Sequence, residues 1–124
     1  MAIQKDSPQK PQITFGKFQN VDMRVARVLA APLASETGMP SRVITLDLGH
    51  LGKRTSIGQF ALVAEDELVG KNVVACVNLG TREIGPHRSE ALVLGAPHPQ
   101  GRDDQAQATP LFVADTATPG DQIF

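Results

Sequence analysis

The sequence predicts a small all-β barrel of five main strands with short helical segments. Its apolar stretches are of strand length and are bounded by Gly, Pro and polar corners. The first two alternate apolar and polar residues at period two, and the best helical segment is too short to be stable alone. The 124 residues suit one domain, expected over residues 13–124 behind a polar, proline-containing leader at residues 1–12 that cannot bury enough apolar surface to order itself.

Thr14 is placed to cap a short helical turn reaching Phe18. Phe15 and Phe18, three residues apart, are expected to pack together as a plug against the barrel mouth. The first strand is expected from Asn20 to Ala30. Val21, Met23 and Val25 alternate with Asp22 and Arg24, and the phase then shifts to Val28, which predicts a bulge near Ala26. Such a bulge turns Arg24 and Arg27 outward on the same bent strand. Residues 31–41 are rich in turn formers and predict a loop.

Arg42 to Leu48 reads as the second strand, with Ile44, Leu46 and Leu48 on one face. A tight turn over Gly49 to Gly52 leads to a third strand, Lys53 to Ile57. Residues 64–69 form the best short helix, with Glu65, Asp66 and Glu67 at its N-terminal end and Gly70 behind it. It must be held by the barrel. Val73 to Val77 and Ala91 to Leu94 are continuous apolar runs suited to packed strands. Between them, residues 78–90 form a polar loop too patterned to be a simple linker. Residues 97–109 are turn-prone, Leu111 to Val113 is a last strand, and residues 119–124 read as a turn and a docked apolar terminus.

The chain carries 12 basic and 13 acidic side chains, a net charge of −1. That balance argues against broad electrostatic wrapping of a nucleic acid. From Phe15 to Glu90 there are nine Lys or Arg against eight Asp or Glu, so any basic stripe is modest. No run approaches the ~20 apolar residues of a membrane-spanning helix, and the polar start does not insert. Cys76 is a lone cysteine inside an apolar run, expected to be buried. Together with the lack of a secretory segment it favours the cytoplasm.

The sequence has no CxxC, HExxH, GxGxxG or phosphate-binding loop, and His50, His87 and His98 lack metal-ligand spacing. No cofactor or metal is expected. An enzymatic reading, a nucleotide hydrolase on the same barrel, would rest on Asp103-Asp104, which reads better as solvated surface. Lys53-Arg54-Thr55-Ser56 offers a cationic fork and hydroxyls to a phosphate, or else a charged strand edge that blocks unwanted pairing. Arg82 and Arg88 flank a Gly-Pro turn and either meet a ligand or pair with Glu83 and Glu90 on the surface. With neither Trp nor Tyr, any base stacking must lean on arginine planes, Met, Leu or Phe60.

Three stretches together resemble a known family. They are Val21-Asp22-Met23-Arg24-Val25-Ala26-Arg27-Val28, then Lys53-Arg54-Thr55-Ser56 running to Gly70, then Val77-Asn78-Leu79 running through Ile84-Gly85-Pro86 to Ser89-Glu90-Ala91-Leu92-Val93-Leu94-Gly95. The pattern is similar to the CsaA secretion chaperone. More broadly it is similar to the tRNA-binding domain found free in bacteria, at the C-terminus of some methionyl-tRNA synthetases and in synthetase cofactors.

The resemblance implies an OB-fold barrel, a homodimer, binding of unfolded or preprotein polypeptide in an export-related chaperone role, and tRNA binding in the wider family. It assigns Arg24, Arg27, Lys53, Arg54, Ser56, Asn78, Arg82, Arg88, Ser89 and Glu90 to the binding face. Of these, Arg24, Lys53, Arg54, Arg82 and Arg88 are expected to contact phosphate or peptide carboxylate. Ser56 and Asn78 are expected to hydrogen-bond and fix loops, and Glu90 to orient an arginine. The chain departs from the family pattern at Gly80-Thr81, where many members carry two prolines, at residues 55–59, and at His87, often aromatic. Ala75, Val77, Leu92, Leu94, Leu111, Val113, Ile123 and Phe124 are available for a dimer interface, or in part for the monomer core. With that resemblance the sequence reads as a non-enzymatic, CsaA-like dimer that binds polypeptide, tRNA or both, with a stand-alone dimeric tRNA-binding protein as the alternative.

Overall fold

The computed structural model describes residues 6–34, 37–102 and 105–124. From the N-terminus come α1 (Phe15–Gln19), β1 (Met23–Ala30), β2 (Leu33–Ala34), β3 (Ser41–Asp47), a 3₁₀ turn (Gly49–Leu51), β4 (Lys53–Gly58), α2 (Glu65–Leu68) and β5 (Asn72–Cys76). There follow β6 (Arg82–Ile84), β7 (His87–Ser89), β8 (Leu92–Val93), β9 (Gly95–Pro97), β10 (Ala108–Pro110), β11 (Phe112–Val113) and β12 (Gln122–Ile123). The fold is all-β and sheet-rich with short helices, as the sequence predicts.

Strand β1 is the hub. One edge pairs antiparallel with β5, from Met23 opposite Cys76 to Arg27 opposite Asn72. The other edge is shared, β12 taking Met23 and Arg24 and β3 taking Arg27 to Ala30. Strand β3 continues into β4 in unbroken register, from Asp47 opposite Lys53 to Arg42 opposite Gly58. Strand β5 also pairs with β8 and β11. The free edge of β4 meets the chain entering β8. Glu90 N donates to Thr55 O at 2.7 Å, Thr55 N to Glu90 Oε1 at 3.2 Å, and Ile57 N to Ser89 Oγ at 3.1 Å.

The core follows the period-two pattern. Ile44 and Leu46 of β3 and Leu48 just after it are buried with Ala26 and Val28 of β1 and Val73 and Ala75 of β5. Each large aliphatic side chain removed from water stabilises the fold by about 1.5–3 kcal/mol. Leu68, on the four-residue α2, is also fully buried. The backbone behind it is tied to β1 by Gly70 N to Val28 O at 2.8 Å and Val28 N to Lys71 O at 2.9 Å. Tertiary contacts thus hold a helix that local propensity alone would not. Cys76 is buried, as expected.

Several expectations are corrected. The register of β1 against β5 runs evenly through Ala26, and the irregularity lies between Val28 and Ala30, where β1 meets β3. Without a bulge at Ala26, Arg24 and Arg27 fall on opposite faces of the strand. Residues 78–90 hold a hairpin, β6 and β7 joined at Gly85-Pro86, and the ends of the turn-prone 97–109 stretch pair as β9 and β10. Thr14 caps α1, its Oγ1 accepting from Lys17 N at 3.2 Å. Phe15 and Phe18 pair with ring centroids 6.1 Å apart, yet both stay exposed rather than plugging a barrel end. The C-terminal segment docks through β12, but Phe124 is fully exposed. Of the residues assigned to a dimer face, Ala75 lies in the core, Val77 packs against it, and Leu111 remains exposed.

Glycine sets one close approach. The β3–β4 turn lies against the turn before β12 so tightly that a Cβ on Gly49 would strike Pro119 O, and one on Gly120 would meet Leu48 O at 2.5 Å. Among the described residues no helix is long and apolar enough to cross a membrane, and no three His, Cys, Asp or Glu converge as metal ligands. Asp103 and Asp104, on which the enzymatic reading rested, lie outside the described residues.

Candidate functional site

The expected site residues fall into two groups, and most of the arginines turn out to bond within the protein. In the first group, at the start of β1, Arg24 Nε donates to Asp22 Oδ1 at 2.7 Å and Nη2 to Asp22 Oδ2 at 3.4 Å, while Nη1 reaches Gly120 O at 3.2 Å. This fork joins β1 to the turn before β12. Asn78 bonds in both directions. Its Oδ1 accepts from Asp22 N at 3.0 Å, and its Nδ2 donates to Asn20 O at 2.7 Å. These two bonds tie the segment after β5 to the residues entering β1. Arg54, at the end of the inner face of β4, donates from Nη1 to Val77 O at 2.8 Å. Arg27 Nε reaches Asn72 Oδ1 at 3.4 Å, directly across the β1–β5 ladder.

The second group surrounds the β6–β7 hairpin. Ser89 Oγ accepts from Ile57 N and donates to Ala91 O at 3.2 Å. Glu90 accepts from Thr55 N, so it secures a strand edge instead of orienting an arginine. Arg88 pairs with Glu83 at 3.4 Å with both side chains largely exposed, a contact that adds little stability. Lys53 and Arg82 are exposed. Ser56 departs furthest from expectation. It is 1% exposed, on the core face of β4 opposite Ile44, and its hydroxyl has no hydrogen-bond partner among the described residues.

Beside the hairpin lies a groove of about 540 Å³. One wall is the 37–41 segment, another is Leu79, Arg82 and Ile84, and the floor is Ile57, Phe60, Ala91 and Val93. Arg82 is the one charged side chain among the described lining residues. The Phe60 ring is 3% exposed and wedged between two glycines. A Cβ on Gly58 would sit 2.5 Å from the ring and one on Gly95 2.9 Å from it. Phe60 is therefore a floor and not a platform on which a base can stack.

Sequence reasoning missed the residues that build this groove. Arg42 is 6% exposed and donates only to backbone carbonyls, through Nη1 to Ala31 O at 2.7 Å and through Nε to Phe60 O at 3.2 Å and Val63 O at 3.1 Å. Its phase with Ile44 and Leu46 was a readable signal that it points inward. Gln107, 4% exposed, accepts from Ala61 N and donates to Pro40 O, both at 2.8 Å. Thr37 and Ser41 hydroxyls donate to Met39 O at 2.6 and 2.8 Å, and the Gln59 amide meets the Met39 sulfur. The wall backbone is held at several points while the Met39 side chain lines the groove.

No family model matches the chain. Over 120 residues it is 32% identical to a methionine–tRNA ligase of Thiobacillus denitrificans, a match covering 95% of this chain and 17% of the ligase. The chain thus spans about a sixth of the length of the curated relatives it matches. Among solved structures it resembles a CsaA chaperone protein from Picrophilus torridus, with a TM-score of 0.78 and 29% identity over 91% of this chain and 100% of that one. It also resembles the chaperone CsaA from Bacillus anthracis, with a TM-score of 0.75 and 26% identity over 92% of this chain and 100% of that one.

Proposed function

The chain belongs to the CsaA and methionyl-tRNA-synthetase-related OB-fold domain family, and from that premise we propose that it is a non-catalytic, CsaA-like module whose groove holds segments of unfolded polypeptide. The barrel in this reading is completed where Ser89 and Glu90 bridge β4 to the chain entering β8, which leaves the groove as the concave, largely apolar surface. Concave apolar pockets with few polar groups suit apolar side chains. The single observation that carries the choice is where the arginines point. Arg24, Arg42 and Arg54 donate to Asp22 or to backbone carbonyls, and Arg88 is paired with Glu83. Fewer cations are left for phosphates than the sequence suggested.

The tRNA reading is favoured by the methionine–tRNA ligase relatives and calls for phosphate contacts at Lys53 and Arg82. The experiment measures binding of an unfolded preprotein segment and of total tRNA across a salt series. Polypeptide binding that changes little with salt supports the proposal. Binding of tRNA alone, with affinity falling steeply as salt rises, overturns it. Within the same reading the protein is a homodimer in the cytoplasm, its exposed Phe15, Phe18, Leu111 and Phe112 marking surface suited to a second copy.

A further inference from the structure

The groove pairs one charge with an apolar floor. Phe60 is immobilised between Gly58 and Gly95, and the same groove is lined by Met39, whose backbone is held by Thr37, Ser41 and, through Pro40, Gln107 and whose sulfur meets the Gln59 amide. A thioether on a fixed backbone is an adaptable part of a groove whose Phe60 is rigid, because Met has three rotatable bonds and a polarizable sulfur that exchanges one weak amide contact for a ligand. Arg82 lines the same groove and is exposed. Its neighbour Arg88 is engaged by Glu83, but the Arg82 side chain makes no hydrogen bond or ion pair among the described residues. Its register partner across the hairpin is Ser89, whose own hydroxyl is committed to Ile57 N and Ala91 O.

We infer that the groove reads a two-part feature of an extended polypeptide, a large apolar side chain seated between Phe60 and Met39 and a carboxylate two residues away bound by Arg82. Side chains at i and i+2 of an extended chain share a face about 7 Å apart, so both can enter one groove. The charge complementarity selects acidic over basic neighbours, and the flexible Met39 tolerates Leu, Ile, Met or Phe at the apolar position. This inference rests on the polypeptide-binding reading and specifies its ligand.

The test is a cycle on the whole protein with an unstructured peptide carrying one Leu and an Asp two residues on. Four affinities are measured, for wild type and Arg82→Gln against the Asp peptide and its Asn counterpart. The expected result is that Asp to Asn weakens binding to wild type about three- to tenfold and leaves Arg82→Gln unaffected, the difference being the coupling. Arg82 is exposed, so the variant should fold, and an unchanged melting temperature verifies it. In parallel, Met39→Val is expected to widen the spread of affinities across Leu, Ile, Met and Phe peptides about tenfold relative to wild type, because a β-branched wall cannot adapt. Met39→Leu is the control for folding.

Binding of the peptide to wild type with no coupling at Arg82 overturns the inference while leaving polypeptide binding intact. An unchanged affinity profile in Met39→Val likewise removes Met39 as the adaptable wall. Failure of every peptide to bind wild type, with tRNA binding that is weakened by Arg82→Gln, overturns both readings together.

Discussion

At the scale of single residues, polar side chains in the interior decide the local energetics. Arg42 supplies the donors for three buried or half-buried carbonyls. Removing a charged donor from such acceptors costs about 1.5–3 kcal/mol, and more if the carbonyls stay dry. Arg42→Leu is therefore expected to lower unfolding free energy by about 3 kcal/mol in urea titrations, with the groove wall at residues 60–63 loosened. An unchanged midpoint would show that the three bonds contribute nothing net. Ser56 makes the opposite case. Its buried hydroxyl has no partner among the described residues, so Ser56→Ala should be neutral or stabilising by up to about 1 kcal/mol. A loss larger than that in the same titration would reveal a partner for the hydroxyl.

At the scale of elements, the joins between strands depend on side chains as much as on ladders. Glu90 accepts from Thr55 N at the edge of β4. Glu90→Ala is expected to speed amide exchange at Thr55, whereas Glu90→Gln keeps an acceptor oxygen and should preserve protection. Equal exchange in both variants would mean that the carboxylate does not hold that edge. The β4–β9 contact over Phe60 has a steric basis. Gly58→Ala puts a methyl into the ring and is expected to cost about 1–3 kcal/mol, read as a fall in melting temperature, and to shrink the groove. Alternation located β1 and β3, the Gly49–Gly52 turn led to β4, a continuous apolar run located β5, and acids followed by Gly70 located α2. Periodicity did not locate the β6–β7 hairpin or the β9–β10 pair, whose three-residue strands are too short to show a period.

At the scale of the whole molecule, the distribution of charge and of apolar surface governs association. With a net charge of −1 and most of the expected site arginines bonded internally, long-range attraction for a polyanion is weak. The exposed ring pair Phe15–Phe18 sits on a five-residue helix with no buried residue of its own. Such a helix gains little from the monomer, and a second copy is the simplest cover for it. Sedimentation at micromolar concentration is expected to give a dimer mass, and Phe15→Ser with Phe18→Ser to shift it toward monomer. A monomer in the unsubstituted protein would remove that expectation.

The sequence alone predicted the all-β class and the strands that carry the core, because burial writes alternation and apolar runs into the chain, while the family came from the resemblance of three motif stretches. The sequence also pointed to Ser89 and Arg82, which line the groove. Tertiary structure decided what each polar residue does. Whether an arginine meets solvent, a carboxylate or a carbonyl depends on which distant segments arrive beside it. Arg24 found Asp22 and Gly120, Arg54 found Val77, and Arg42 found three carbonyls. The groove itself brings together residues as far apart in sequence as Met39, Arg82 and Ala108. A hydrogen bond is satisfied by geometry across the fold, and nothing in the linear order of residues encodes that geometry as periodicity encodes burial.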